Sequence, residues 1–356
     1  MVTVSTSDTF PTLHVSTRHM TSSSQIHVAT LNVRYDGQRA TPTPIPDTGA
    51  VPPASRKPWE DKYREQGWAV RRSRLVDALL SLGALDLIGF QEVYCSQLAD
   101  LAALLGPSWA HVGVGRDDGK EAGEYSPIFY NTERFKLVKW KSVWLSPTPG
   151  VPGSIGWDAS QTRIATLLSL ADNVHGGTVH AVCTHYDDRG VRARAESSLL
   201  IRAAIREFVD EVEGAGAGAA GGKTDRGPVI LFGDFNSPDS EDGYRNITSF
   251  DPLPSGAKGY TFLDAYTHLS ARRPGHAAQS RPYGPKATYT GFAAPGRERT
   301  TRIDFVMLAA DDDGARGGYG FSQYAVVDNW VEEGDVDGFE GRWSDHRAVR
   351  VTLSRV

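Results

Sequence analysis

Several short segments of this chain set side chains able to take protons, bind cations or hold anions directly beside apolar runs. The most telling is Gly233-Asp234-Phe235-Asn236, which follows Val229-Ile230-Leu231-Phe232. A short β-branched and aromatic run reads as a buried strand, so the glycine marks its end and Asp234 and Asn236 fall where the backbone leaves the sheet. Two residues apart on an extended backbone, they share one side. A carboxylate that can take a proton then stands beside a carboxamide that can hold an anionic oxygen. The competing explanation is local, since Asp and Asn favour turns for reasons of their own.

Other apolar runs end in the same way. Asn32 follows the run 26–31, Glu92 follows Leu-Ile-Gly-Phe-Gln at 87–91, and His185 with Asp187 follows 179–184. Asp304 lies in Arg302-Ile303-Asp304-Phe305-Val306, and Ser344-Asp345-His346 precedes the apolar run 348–353. Each segment alone could be a strand-end turn. Together they supply what metal-assisted phosphoryl chemistry requires. The hard oxygen donors Glu92, Asn32 and Asp345 suit Mg²⁺ or Mn²⁺, which keep several waters and bind through few protein groups plus substrate phosphate. Zinc fits less well, because no His or Cys pair occurs at short ligand spacing.

The elements that must position these groups recur along the whole chain. Strand-like runs occupy 26–33, 87–91, 127–130, 137–145, 164–170, 178–184, 229–232, 303–308 and 348–353, and apolar residues at helical spacing occupy 72–82, 96–105 and 192–213. Strands following strands, interrupted by a few helices, predict an α/β fold: a four-layer sandwich with two mixed sheets packed face to face and flanked by helices. The stretches 38–58, 214–227 and 269–298 read as surface loops from their Pro, Gly and Ala content. The Gly-Ala stretch follows a helix and lacks the Gly-Lys-Ser/Thr ending of a phosphate-cradling loop. No internal repeat or linker divides the chain, so a single catalytic domain is expected over 25–356, after a disordered Ser/Thr-rich tail over 1–24.

Composition narrows the function classes. Hydrophobic residues make up 40% and charged residues 23% of the 356, ordinary values for a globular enzyme. No apolar run approaches the ~18 residues of a membrane span. The first residues lack the basic start and apolar core of a secretory signal, which points to an intracellular, cytoplasmic protein. Cys95 and Cys183 are too few for a disulfide scaffold and read as reduced thiols. A net charge of −5 argues against a protein whose main task is gripping a nucleic-acid backbone, though a local basic cleft remains compatible with it. Arginines 56, 64, 71, 72 and 74, interleaved with Trp59, Tyr63 and Trp68, could grip phosphate or form a solvated helix face. Nothing in the sequence marks an obligate protein partner, and a monomer is expected.

The order of Leu31-Asn32-Val33-Arg34-Tyr35-Asp36, Gly89-Phe90-Gln91-Glu92, Thr184-His185-Tyr186-Asp187-Asp188-Arg189-Gly190, Gly233-Asp234-Phe235-Asn236, Arg302-Ile303-Asp304 and Ser344-Asp345-His346 resembles the endonuclease/exonuclease/phosphatase superfamily, from about residue 26 to 353. The resemblance implies that Glu92 binds the metal with help from Asn32 and Asp345, directly or through water. It also implies that Asp234 activates the attacking water, Asn236 binds a phosphate oxygen, His346 held by Asp304 contacts the scissile phosphate, and His185 is a second phosphate contact. Where some nuclease members carry a second carboxylate two residues after the first asparagine, this chain has Arg34, which leaves the metal count open.

Arg163 could fork onto phosphate or form a sheet-edge ion pair. Trp157 and Tyr186 could stack on a base or sugar or simply pack, and Asp187 could serve the metal network or the start of the following helix. The segment after Thr184 is most similar to microbial members near the deadenylase and nocturnin branch. The expected activity is a Mg²⁺- or Mn²⁺-dependent phosphodiesterase or phosphatase using in-line water attack. Its substrate would be a small phosphoester or single-stranded nucleic acid, with a 3′ exonuclease on RNA as the alternative. A non-catalytic phosphate-binding module is the alternative from another class, and its mark would be loss of a site residue.

Overall fold

The computed structural model describes residues 24–36, 65–217, 226–270, 282, 284–310, 317–332 and 339–355. In chain order the strands are β1 (Gln25–Asn32), β2 (Leu87–Gln91), β3 (Trp109–Val112), β4 (Ile128–Asn131), β5 (Phe135–Trp144), β6 (Ile164–Asp172), β7 (Thr178–His185), β8 (Val229–Asp234), β9 (Thr261–Asp264), β10 (Asp304–Ala310), β11 (Tyr319–Val327), β12 (Trp330–Val331), β13 (Gly341–Arg342) and β14 (Ala348–Arg355). Among the described residues they form two six-stranded sheets, β11-β14-β1-β2-β4-β3 and β5-β6-β7-β8-β10-β9, and the small ribbon β12-β13. Both large sheets are mixed: β1 with β2 and β7 with β8 run parallel, and their other neighbours pair antiparallel.

Strand alternation sorts side chains into layers. In β1, Ile26 and Val28 face the opposite sheet while Ala29 and Leu31 face outward; in β8, Ile230 and Phe232 face inward while Val229 and Leu231 face outward. The inward sets of both sheets share one apolar core with Cys183, Val306, Val349 and Val351. On the outer face of the first sheet lie α1 (Trp68–Leu80) and α2 (Cys95–Leu105), which bury Leu75, Leu79 and Leu101 against Ile88 and Phe90. The outer face of the second is covered by α3 (Val191–Ala217), whose Ile201, Ile205 and Phe208 pack on Leu167, Leu231 and Phe305, and by α4 (Asp242–Thr248). The short α5 (Ala265–Ser270) adds Ala265 and Leu269 to the edge of the central core. This is the expected four-layer sandwich.

Where the two sheets meet, Gly89 permits close approach. A methyl group there would lie 2.2 Å from the Phe232 ring. Gly233 has φ +150°, and a methyl there would meet the Thr184 carbonyl oxygen of β7 at 2.0 Å, so glycine is needed where β8 delivers Asp234.

Several expectations are corrected in detail. Helix α1 begins at Trp68, ahead of the expected 72, and α3 continues to Ala217 into the stretch expected to be a loop from 214. The edge or near-edge strands β3, β9 and β11 were not expected. Ser24, assigned to a disordered tail, is buried, bonds Tyr319 Oη at 2.6 Å and accepts the Arg355 N–H; residues 1–23 lie outside the described residues. So do 38–58 and, from the basic stretch, Arg56, Trp59, Tyr63 and Arg64.

The described part of that basic stretch is structural. Arg71 is fully buried and donates to the carbonyls of Val33 and Trp343, and Arg72 and Trp68 both donate to Asp100 at 2.8 Å. Both cysteines are free. Among the described residues, no helix is long and apolar enough to cross a membrane.

Candidate active site

The core register that fills the sandwich with apolar groups also builds the site. Continuing the inward-facing series past the apolar layer leads from Val28 to Asn32 on β1, from Cys183 to His185 on β7 and from Phe232 to Asp234 on β8; on β10 it starts at Asp304 before Val306. The parallel pairs β1–β2 and β7–β8 all point their C-terminal ends at this pole, and β10 and β14 begin there. The inter-sheet space opens here into a cleft of about 460 Å³ whose walls include Glu92, His185, Asp234, Asn236, Asp345 and His346.

Backbone geometry aims several of these groups. Arg34 (φ 62°), Glu92 (φ 59°) and Asn236 (φ 46°) adopt left-handed conformations, and all three line the cleft. Such conformations cost on the order of 1–3 kcal/mol each and persist where surroundings over-determine them. For Arg34 the surroundings are identifiable: its N–H donates to Asn32 Oδ1 at 2.9 Å and its carbonyl accepts from Gln97 Nε2 at 3.0 Å. Ser344 Oγ donates to the Asn32 carbonyl at 2.6 Å, which ties the Ser344-Asp345-His346 turn to the end of β1.

Asn32 Nδ2 donates to Glu92 Oε1 at 2.9 Å and to Asp234 Oδ2 at 3.0 Å, while its amide oxygen accepts the Arg34 N–H. A backbone N–H can only donate, so this bond fixes the amide orientation. Asn32 thus turns its nitrogen to the two carboxylates and holds them, with its oxygen on the Arg34 N–H.

Glu92 also accepts the Tyr35 N–H at 3.1 Å. Burial works against its ionisation, but the Arg34 guanidinium, the Asn32 bond and His346 outweigh it and hold the carboxyl below its usual range. Asp345 goes the other way. Burial raises it, and the Glu92 charge adds to the rise.

Asp304 Oδ2 lies 2.9 Å from His346 Nδ1, and His346 Nε2 lies 3.7 Å from Asp234 Oδ2. Burial opposes the imidazolium, but Asp304, Asp234 and Asp345 outweigh it and push His346 up to about 10. Asp234 is pushed up to about 7 by burial and by the neighbouring Asp304 charge. Its Oδ1 accepts the Asn236 N–H at 2.8 Å, and Asn236 Nδ2 donates to the Tyr186 carbonyl at 3.0 Å beside His185. Asp234, Asp304 and His346 each offer a ligand atom within 4.8 Å of the others. Within this group the close Asp304–His346 bond is the geometry of a carboxylate that orients an imidazole.

Arg163 belongs to the cleft wall. Its Nη1 is 2.9 Å from His185 Nδ1 and its Nη2 bonds Asp188 at 3.1 Å. Tyr186 is a correction: the residue after an inward-facing His185 faces outward, so its ring is fully buried, stacked on Phe235 at 4.6 Å, with its hydroxyl 2.9 Å from Ser198. Trp157, half-buried with φ 55°, is not part of the cleft wall. Asp187 accepts the N–H groups of Ser160, Gln161, Arg189 and Gly190, which makes it the staple of the loop before α3.

Glu124, Tyr289 and Arg299 line the cleft and were not foreseen. Glu124 is buried, bonds Arg116 Nη1 at 2.7 Å and lies 3.8 Å from His185 Nδ1; burial pushes it up to about 6. The available signal was a glutamate just ahead of the strand expected at 127–130.

The family model described as the endonuclease/exonuclease/phosphatase family matches residues 29–346. No curated protein matches the sequence. Among solved structures, the endonuclease/exonuclease/phosphatase from Bacteroides vulgatus is 28% identical, covering 94% of this chain and 100% of that one, with a TM-score of 0.68. A mannosyl-6-phosphatase of Bacteroides thetaiotaomicron is 26% identical over 92% of this chain and 99% of that one, with a TM-score of 0.67. The human nocturnin catalytic domain, solved with bound sulfate, shares the fold at 16% identity, covering 93% and 94% of the two chains, with a TM-score of 0.56. With a family model spanning the sandwich and the cleft at its open pole, this chain belongs to the endonuclease/exonuclease/phosphatase family.

Proposed function

We propose that this protein is a divalent-metal-dependent phosphoester hydrolase in which Asp234 activates water for in-line attack on phosphorus. The observation that carries this reading is the convergence, in one cleft, of a buried carboxylate at about 7, a carboxylate-backed imidazolium and two further carboxylates. A base whose pKa lies near neutrality can both hold and release a proton at working pH. His346, kept cationic by Asp304, places positive charge where a phosphoryl oxygen gains negative charge, and the Asn236 amide offers a neutral donor beside it.

The donor set fits a hard cation. Glu92 is held ionised against its burial, chiefly by Arg34, while burial raises Asp345 and the Glu92 charge adds to the rise, so two carboxylates stand close together in one buried cleft. Glu92 and Asp345 would hold Mg²⁺ or Mn²⁺, with Asn32 fixing Glu92 in place. Such an ion supplies Lewis-acid stabilisation of phosphoryl charge.

A small phosphomonoester, with a sugar phosphate as the leading class, fits the chain better than a long polyanion. Supporting this are the full-length likeness to a mannosyl-6-phosphatase at 26% identity and the net charge of −5. The site residues whose loss would mark a mere binding module are all in place.

The test is turnover of p-nitrophenyl phosphate, bis(p-nitrophenyl) phosphate, sugar phosphates and poly(A) with Mg²⁺ or Mn²⁺. Metal-stimulated hydrolysis should be abolished by EDTA, and Asp234→Ala should lower kcat by about 10²–10⁴-fold. Unchanged turnover in Asp234→Ala would overturn the assignment of the base. Faster release from poly(A) than from any small ester would replace the sugar-phosphate reading with the exonuclease one. Tight phosphate-ligand binding without turnover would indicate a binding module.

A further inference from the structure

Asp304 opens β10 and His346 precedes β14, and one ribbon of backbone is fastened to both. Thr288 Oγ1 accepts the N–H groups of Ile303 and Asp304 at 3.0 and 3.1 Å. One residue on, Tyr289 bridges to Thr301 and to His346, and the N–H groups of Thr290 and Gly291 donate to the Asp345 carbonyl. The chain then turns back, and the Arg299 N–H donates to the Thr290 carbonyl at 3.1 Å. From this flap, residues 288–301, Tyr289 and Arg299 line the cleft.

The two extend the site from its floor to its mouth. His346 is buried, Tyr289 is half-buried and Arg299 is exposed. The Tyr289 ring centroid stands 4.9 Å from that of His346, and the Arg299 guanidinium carbon lies 5.9 Å from the Tyr289 ring.

Arg299 differs from the other arginines of the cleft wall in its lack of a counter-charge. Arg34 pairs with Glu65 at 3.3 Å, and Arg163 and Arg189 pair with Asp188 at 3.1 and 3.5 Å. Among the described residues, no carboxylate pairs with Arg299. The adjacent Glu298 lies instead by Arg342 and Arg347, at 4.0 and 3.8 Å. The Tyr289 hydroxyl likewise makes no hydrogen bond among the described residues.

We propose that Arg299 forms a second anion subsite on the mouth side of the phosphoryl site, so that the preferred substrate is a phosphomonoester whose leaving alcohol carries one further anionic group. The subsite rests on the hydrolase reading of the same cleft, which supplies the place of the first phosphate. A guanidinium with free donors matches the edge of a carboxylate or a phosphate. Two steps of 4.9 and 5.9 Å from the His346 ring suit a six-carbon sugar or sugar acid with an anion at each end. One spare cation balances one further anion, whereas a long polyanion needs a row of them. Tyr289 is the positioning residue, its ring spanning the interval between imidazole and guanidinium.

Three esters that share a C6 phosphate test this: glucose 6-phosphate, uncharged at C1, 6-phosphogluconate, with a carboxylate there, and glucose 1,6-bisphosphate, with a second phosphate. With Mg²⁺, wild-type kcat/KM for at least one doubly anionic ester should exceed that for glucose 6-phosphate by roughly tenfold. Whichever of the two is favoured identifies the second anion as carboxylate or phosphate. The preference should lie mainly in KM, because Arg299 stands away from the ester bond, and should shrink as salt is raised. Arg299→Met should bring the ratio close to one and Arg299→Lys should retain part of it. Tyr289→Leu should lower the ratio, and Tyr289→Phe should keep it. A wild-type ratio near one, or an Arg299→Met variant that slows all three esters alike, would overturn the proposal.

Calorimetric titration of the three esters into Asp234→Ala with Mg²⁺ separates affinity from turnover. It should show the same preference, lost when Arg299→Met is added. Absent wild-type turnover with that binding preference intact would count against the hydrolase reading and leave the subsite standing. Turnover of all three esters with no preference in rate or affinity would leave the hydrolase reading standing and reject the subsite.

Discussion

At the scale of single residues, charge state is set by what stands behind each group rather than by its type. His346 and His185 have the same side chain and the same neighbour in Asp234, yet Asp304 pushes one up to about 10 while burial, with Arg163 adding to it, holds the other well below its ordinary value. The His346 contribution to stability follows from its sign. Its folded pKa lies above the ordinary 6.5, so the contribution is fully present below about 6.5 and is lost as pH rises through about 10. Asp304→Asn should bring the His346 titration in the metal-free protein down toward the ordinary value. It should also flatten the fall in urea midpoint between about pH 6 and pH 10. A wild-type His346 that titrates near 6.5 by NMR would reject the pairing as the cause. The family resemblance named His346 and Asp304 as partners, but Glu124 stayed unseen, because the reason for noticing Glu124 is its approach to His185, a residue distant in the chain.

At the scale of elements, alternation along a strand does most of the positioning. Once Phe232 and Cys183 face the opposite sheet, Asp234 and His185 must follow them to the same side, and Tyr186 must turn toward the helix layer. Two glycines make the register possible. Gly89→Ala would drive a methyl into the Phe232 ring, and Gly233→Ala would drive one into the Thr184 carbonyl. Each should cost about 1–3 kcal/mol in unfolding free energy. Gly233→Ala should also lower kcat, because the strained residue precedes Asp234, whereas Gly89→Ala should act mainly on stability. Denaturant unfolding together with turnover separates the two, and a fully active, wild-type-stable Gly233→Ala would reject the argument. Strands β3, β9 and β11 escaped sequence reading because short or partly exposed strands at or near a sheet edge lack the continuous apolar run that marked β8.

At the scale of the whole molecule, the cleft occupies one pole of the sandwich and a buried ionic clamp occupies the other. Arg134 donates to Asp172 at the end of β6, pairs with Asp86 just before β2 at 3.0 Å and donates to the Gln25 carbonyl at the start of β1, so one side chain joins both sheets. Breaking such a pair from one side leaves buried carboxylates uncompensated. Arg134→Met should therefore cost about 3–5 kcal/mol while kcat at moderate temperature stays near wild type, as thermal unfolding and turnover would show. Burial opposes ionisation of Asp172, but the Arg134 bond and the His175 and Val174 N–H groups hold its carboxyl below the ordinary 3.8. Its contribution is present above about 3.8 and is lost as pH falls through the depressed folded value, so Arg134→Met should blunt the acid limb of the stability profile.

The sequence by itself determined which chemical groups exist and that they stand at the ends of apolar strands, because periodicity and glycine placement are local properties of the chain. From these came the sandwich, the family likeness and the residues Glu92, Asp234, Asn236, Asp304, Asp345 and His346. Tertiary structure decided which of the candidates share the cleft, that Asn32 turns its amide nitrogen to Glu92 and Asp234, that Tyr186 is core, and which histidine has a carboxylate behind it. Those outcomes depend on distances between groups 42 residues apart, as for Asp304 and His346, or 22 apart, as for Arg163 and His185. Coulombic coupling and desolvation act through space, so the order of residues along the chain does not contain them until the sheets have closed.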